Sequence, residues 1–282
     1  MIDIKTIISE IKGLDPLPPT AIKLAALVGD SNSTVDQIVE VIRYDLALTA
    51  DVLKFANSAF SASQKKIVNV KDAVIRIGGA RILEQVLGRQ VQGKLKTMLP
   101  AYGYTEDELW RHSVAAATAA ELLNASATIH ISGISFTAAL LHDIGKLIIG
   151  RVAPQADMES IWAMVSGTPG GCPVETAEKK VLGFTHADIG AQVAGAWQLP
   201  EPIVAAIASH HAIDGTTDPV ADSVKIANIV AHSIGEGLGN EGMSLAIDDS
   251  VVDRLGLTRD AFETLCARTA CKYRDVMKMF DS

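Results

Sequence analysis

Leu140-Leu141-His142-Asp143-Ile144-Gly145-Lys146-Leu147 sets an imidazole, a carboxylate and an ammonium inside an otherwise apolar run. With Ile134, Phe136 and Ala138 ahead of it and Ile148 and Ile149 behind, the pattern leaves almost no polar face and predicts one helix packed on most sides. A carboxylate buried there without a partner would neutralise or find a cation. His142 and Lys146 are four residues apart and Asp143 and Lys146 three, so a helix turns all of them toward one pocket. Two chemistries fit this stretch: an Asp143–Lys146 ion pair with His142 bonded to backbone, or a metal site with an ammonium beside it. The remaining histidines bear on the choice. Of seven in the chain, six fall in or at the ends of helices expected in the second half: His112, His142, His186, His210, His211 and His232. Imidazoles on separate helices, joined by one aspartate, are what a nitrogen- and oxygen-ligated transition-metal site in a helical bundle requires. The competing reading makes them a hydrogen-bonded polar core. His186 follows a Thr185 cap, where an imidazole can also face solvent. His232, four residues after Asn228, could approach the site but reads more simply as an interhelical histidine satisfied by its neighbours, and His130 reads as a loop residue. Glu108, four before His112, is explained by a Thr105–Glu108 capping box.

The elements that must position these residues are helical. Of 282 residues, 48% are hydrophobic but only 5% aromatic, so the core is aliphatic and alanine-rich, which suits close helix packing better than a β-sandwich. Helices are expected over residues 1–13, through Ile22, Leu24, Leu27 and Val28 after a proline-rich entry at Leu14–Thr20, from a Thr34–Gln37 capping box to Ile42, from Leu46 to Ala56, from an Asn69 cap to Gly78, and from Ala80 to about Lys96. Asn57 and Ser58 read as a helix stop bonding the backbone. Leu99-Pro100-Ala101-Tyr102-Gly103-Tyr104 is the best boundary. Further helices carry His112 to Leu123, Thr185 to Trp197, Pro200 to His211 and Val224 to Ile234. Residues 235–247 read as Gly-rich and loose, and Asp248 to Phe280 as two last helices. The division is 1–100, 101–234 and 235–282.

No apolar run approaches the roughly 18 residues of a membrane span, and the charged start Met1-Ile2-Asp3-Ile4-Lys5 has no signal-peptide pattern, so a soluble cytoplasmic protein is expected. Cys172, Cys266 and Cys271 form neither a disulfide framework nor a thiolate zinc motif. A net charge of −8 argues against bulk affinity for nucleic acid or anionic membrane. Residues 62–100 depart from this with eight basic against two acidic side chains, which reads as a solvated helix face or as a dock for an acidic or phosphate-bearing partner.

The order His112, His142-Asp143, His186, His210-His211 resembles the HD superfamily of metal-dependent phosphohydrolases, and His142-Asp143-Ile144-Gly145-Lys146 is typical of its HD-GYP and HDOD branches. Leu17-Pro18-Pro19-Thr20, Ile42 to Thr49, Phe55 to Phe60 and Ala73 to Gly78 are similar, in order and spacing, to the amino-terminal signature of the HDOD domain, so the resemblance covers about residues 14–232. It implies an all-α, multi-helix HD-like bundle with an amino-terminal helical subdomain. It implies one metal at His112, His142 and Asp143 with a late aspartate, and a second completed by His186, His210 and His211. Asn228 stands where the late aspartate would fall, costing the site one negative charge. The Gly-Tyr-Pro signature expected after the paired histidines is absent, which argues against a cyclic-di-GMP phosphodiesterase.

Two functional readings follow. The first is a bacterial signal-transduction module of the HDOD kind, acting on a regulatory protein partner and using the pocket as a structural or ligand-sensing centre. The second is a phosphohydrolase acting on a nucleotide or phosphodiester, in which the metals activate water while Asp143 and Lys146 are catalytic, the lysine steadying phosphoryl charge. The donor set suits Fe, Mn, Ni or Zn better than Mg, with no metal at all as the alternative.

Overall fold

A computed structural model describes residues 4–57, 67–166, 172–212, 218–242 and 249–280. The helices are α1 (Ile4–Gly13), α2 (Pro19–Gly29), α3 (Val35–Arg43), α4 (Leu46–Ala56), α5 (Val70–Ile77), α6 (Gly79–Leu95), α7 (Glu108–Leu123), α8 (Ser135–Leu141), α9 (Gly145–Val152), α10 (Gln155–Ser166), α11 (Val174–Leu182), α12 (His186–Ala196), α13 (Glu201–Ser209), α14 (Pro219–Ser233), α15 (Asp249–Leu255) and α16 (Arg259–Phe280). Among the described residues there is no β-strand, only an isolated bridge between Leu99 and Tyr104. The fold is all-α. Helices α2 to α6 pack on one another and meet the rest where α6 touches α7 and α8. In the second half α7, α8, α13 and α14 form the inner bundle, α9 and α12 pack beside it, and α16 lies along α7. The first helix docks on α9 and α12, far along the chain.

Local chemistry explains most of the boundaries. Thr34 and Gln37 close a reciprocal capping box on α3, and Thr185 and Asp188 do the same on α12. Asn57 ends α4 by bonding Leu53 O and both backbone groups of Ile67; Ser58 and Phe60 lie outside the described residues. His130 is an exposed loop residue and the three cysteines are free. Lys65 and Lys66 are also outside the described residues, but Lys71, Arg81, Arg89, Lys94 and Lys96 each approach a carboxylate elsewhere in the chain.

Four expectations are corrected. The run around His142 is not one helix: it divides into α8 and α9, with His142, Asp143 and Ile144 in a tight turn between them. Its bonds close over three residues, from Ile144 N to Leu141 O at 3.0 Å and from Lys146 N to Asp143 O at 3.0 Å. Helix α7 starts at Glu108 without a side-chain cap, because Asp107 takes a left-handed conformation at φ 73°; only half of the box forms, with the Thr105 N–H donating to Glu108 Oε2 at 2.5 Å. Helix α14 begins at Pro219 rather than Val224, capped by Asp218, whose Oδ1 accepts from Val220 N at 3.0 Å. Residues 235–242 are held and not loose: Asn240 N donates to Tyr102 O at 2.9 Å and Gly242 N to Leu238 O at 3.0 Å. Residues 243–247 of that stretch lie outside the described residues.

Candidate metal centre

Each helix delivers its histidine from a fixed backbone position. His112 projects from α7, His142 and Asp143 from the α8–α9 turn, His186 from the first turn of α12, and His210 and His211 from the end of α13. The close approach of α9 and α12 depends on Gly145 and Gly190: a methyl group on Gly145 would meet the His186 carbonyl and come within 2.6 Å of Gly190 N. That contact brings His186 to Asp143.

His112, His142 and His186 are 0% exposed, Asp143 is 1% and His210 3%; His211 is partly buried. The solvent-facing alternative for His186 is therefore excluded. His142 Nδ1 lies 2.7 Å from Ala139 O, His210 Nδ1 2.7 Å from Ile207 O, and His112 Nδ1 3.1 Å from Glu236 O. A carbonyl oxygen only accepts, so each Nδ1 carries the hydrogen and each Nε2 offers a lone pair. The Nε2 atoms of the cluster face one another. The Nε2 atoms of His112 and His142 are 3.2 Å apart, those of His186 and His210 3.3 Å, and those of His211 and His186 3.0 Å. Asp143 lies between the groups, with Oδ2 3.5 Å from His112 and 3.4 Å from His142, and Oδ1 3.4 Å from His186 and 3.7 Å from His210. Asp143 Oδ1 and Asn228 Oδ1 make no hydrogen bond among the described residues.

Converging lone pairs repel unless a cation lies among them. Two donors bonded to one ion at about 2.0–2.2 Å stand roughly 3.0–3.5 Å apart, close to the separations seen here. The residues fit a metal in two groups, His112–His142–Asp143 and Asp143–His186–His210–His211, joined through the aspartate. Protonation follows the geometry at every ring except His186. Burial lowers the pKa of His112 and His210 and lowers those of His142 and His211 further, keeping these rings neutral. Asp143 is held well below the usual carboxylate range: burial opposes ionisation, but the Lys146 ammonium beside it outweighs that. His186 is raised, since Glu178 overcomes the effect of burial.

Asn228 sits beside His112 and helps hold its pKa up. Lys146 is fully buried, donating to Asp143 Oδ2 at 2.8 Å and to Tyr104 OH at 3.3 Å, and it also pairs with Glu241. Glu108 does not join the cluster. His232 does approach the cluster: its ring centroid is 4.7 Å from that of His112, and its Nδ1 is buried with no hydrogen-bond partner among the described residues. Burial pushes its pKa down to about 4.

Sequence reading missed Glu178. It is 0% exposed and accepts from His186 N at 2.7 Å and His186 Nδ1 at 2.8 Å through Oε2, while Tyr102 OH donates to Oε1 at 2.6 Å. Such a carboxylate behind a metal-facing histidine fixes its tautomer and strengthens it as a donor. The signal was available, because Val174, Ala177, Glu178, Val181 and Leu182 share the apolar face of α11. Tyr102 and Tyr104 were missed because the turn-rich segment 99–104 reads as a surface connection, yet both are buried against Lys146 and Glu178.

A family model described as the HDOD domain matches residues 14–213. An uncharacterized protein of Treponema pallidum (strain Nichols) is 25% identical over 228 residues, covering 79% of this chain but only 43% of its own length. The chain thus spans less than half of that curated relative. Among solved structures, a candidate signal transduction protein of Marinobacter aquaeolei VT8 is similar with a TM-score of 0.72 and 24% identity, over 98% of this chain and 64% of that one. An HDOD domain protein of unknown function from Geobacter sulfurreducens gives 0.68 and 22%, over 99% and 97%. A candidate phosphohydrolase of Shewanella amazonensis SB2B gives 0.61 and 23%, over 94% and 93%. At these identities the likenesses concern the fold.

Proposed function

The chain belongs to the HDOD domain family, and from that premise we propose that it is a bacterial signal-transduction module whose HD pocket holds a divalent transition metal as a structural or ligand-sensing centre. The observation that carries this is the enclosure of the donors, with three of the histidines at 0% exposure. Closed donor sets are the habit of structural metals, whereas catalytic sites keep a position open. The nitrogen-rich set favours Mn, Fe, Ni or Zn over Mg. His112, His142 and Asp143 would hold one ion and Asp143, His186, His210 and His211 another, with Asn228 offering a neutral oxygen beside His112. No helix of the described residues is long and apolar enough to cross a membrane. We place the protein in the cytoplasm, acting on a regulatory protein partner. Elemental analysis of the purified chain tests the reading: transition metal should be present, and should be lost in a folded Asp143→Ala variant. A metal content no higher than that of the variant would sink it.

The second reading, a metal-dependent phosphohydrolase, is favoured by one feature, the Lys146 ammonium held against Asp143. A bound ion would there supply an activated water and a Lewis acid for a phosphoryl oxygen. In this reading Asp143 holds the ion and Lys146 meets the developing phosphoryl charge. Turnover of nucleotides or phosphodiesters with any of these metals, above the Asp143→Ala control, would replace the regulatory reading.

A further inference from the structure

Lys146 has three N–H donors and three partners: Asp143 Oδ2 at 2.8 Å, Tyr104 OH at 3.3 Å and the Glu241 carboxylate. No anion can reach this ammonium unless one partner leaves. Asp143 is fixed among the histidines, and Tyr104 is neutral and tied to Leu99 by two backbone bonds of 3.0 and 3.1 Å. Glu241 lies outside the histidine cluster and outside any helix, although its neighbours Asn240 and Gly242 are bonded through their N–H groups. It arrives on the irregular segment 235–242, between Asn240 and Gly242, and Gly235, Gly237, Gly239 and Gly242 along that segment all have positive φ. Its carboxylate is buried, and among the described residues no hydrogen bond serves Oε1 apart from the ion-pair contact with Lys146. Burying a carboxylate oxygen is costly, and at Oε1 the Lys146 contact offsets that cost. The same segment covers the far side of the pocket, where the Glu236 carbonyl accepts from His112 and Gly237 lies against the His112 Cβ.

We propose that Glu241 is an internal competitor at the pocket, its carboxylate occupying the place at Lys146 that a phosphate group of an incoming ligand would take. The inference rests on the pocket being a ligand-holding centre and adds how entry to it is governed. Exchange of the carboxylate for a phosphate keeps an anion beside the Lys146 ammonium, while the displaced Glu241 regains hydration. The pocket is thus closed at rest and selects an anion able to outbid a tethered carboxylate.

Calorimetric titration of the full chain with inorganic phosphate, metal-depleted and Mn-loaded, tests this. Glu241→Gln and Glu241→Ala should each bind phosphate at least tenfold more tightly than the parent in the metal-depleted form. Adding Lys146→Gln to Glu241→Ala should remove the gain. Equal affinity in the parent and both folded variants overturns the proposal, as does a gain that survives Lys146→Gln. Failure of the metal reading is separately visible: Mn would not bind, yet the phosphate gain would persist. Should neither variant fold, amide exchange of the parent at saturating phosphate reads the same competition. Faster exchange across residues 236–242 supports displacement, and unchanged exchange with phosphate bound overturns it.

Discussion

Asn228 and Glu178 show how two side chains at the edge of the donor set can tune it in opposite directions. Asn228 leaves an unpartnered oxygen beside His112, so Asn228→Asp adds an anion where the pocket already has the shape for one. Side-chain volume barely changes. We expect Mn affinity to rise at least tenfold by calorimetry, equivalent to about 1.4 kcal/mol. An unchanged affinity in a folded variant would mean that position 228 does not address the ion. Glu178 acts through His186, which it orients with two short bonds to one oxygen. Glu178→Gln keeps an acceptor for those bonds but removes the charge that raises the imidazole's basicity. Metal affinity should fall by about 10- to 100-fold while the unfolding temperature of the metal-depleted protein stays near that of the parent.

Helices α9 and α12 meet backbone to backbone, and this contact sets the distance between Asp143 and His186. A side chain at Gly145 would be driven into the His186 carbonyl and toward Gly190 N, neither of which is a flexible side-chain end. Gly145→Ala should therefore destabilise the protein by roughly 3 kcal/mol, at the upper end of ordinary overpacking, as read from denaturant unfolding. A loss below about 1 kcal/mol would show that the two helices separate at little cost. The turn between α8 and α9 belongs to the same scale. It lets His142 point its Nδ1 back to Ala139 and its Nε2 into the pocket, next to an Asp143 that reaches both metal groups.

Across the whole molecule, α6, α7 and α16 meet at a charged junction. Glu84 and Glu121 approach each other there, with Arg81 and Lys272 pairing with Glu121. Burial, with the Glu121 charge, pushes the Glu84 carboxyl up to about 8 against the pull of Lys272 and Arg81. The folded protein then retains a proton that the unfolded chain releases near the ordinary value of 4.5. The contribution to stability is full below that value and is lost as pH rises through about 8. The melting temperature of the parent should decline across this interval. Glu84→Gln, which mimics the protonated form, should flatten the decline and be the more stable protein at alkaline pH. Parallel pH profiles for the two would place the proton elsewhere.

The amino-acid sequence by itself determined the helices whose ends carry local chemistry: Thr34 with Gln37, Asn69 and Thr185 act within a few residues, as does the Asn57 bond to Leu53, so their roles are written in the adjacent chain. It also determined the donor types, since several imidazoles and one aspartate on expected helices need no fold to be recognised as metal-competent. Only the tertiary structure decided that His186 is buried, that Glu178 stands behind it, and that Tyr104 and Glu241 complete the partners of Lys146. The turn at His142 was hidden because its apolar neighbours satisfy helical spacing equally well whether the backbone continues or tightens. Burial and pairing of these groups depend on residues tens of positions away, and local sequence carries no record of which distant helix arrives to cover them.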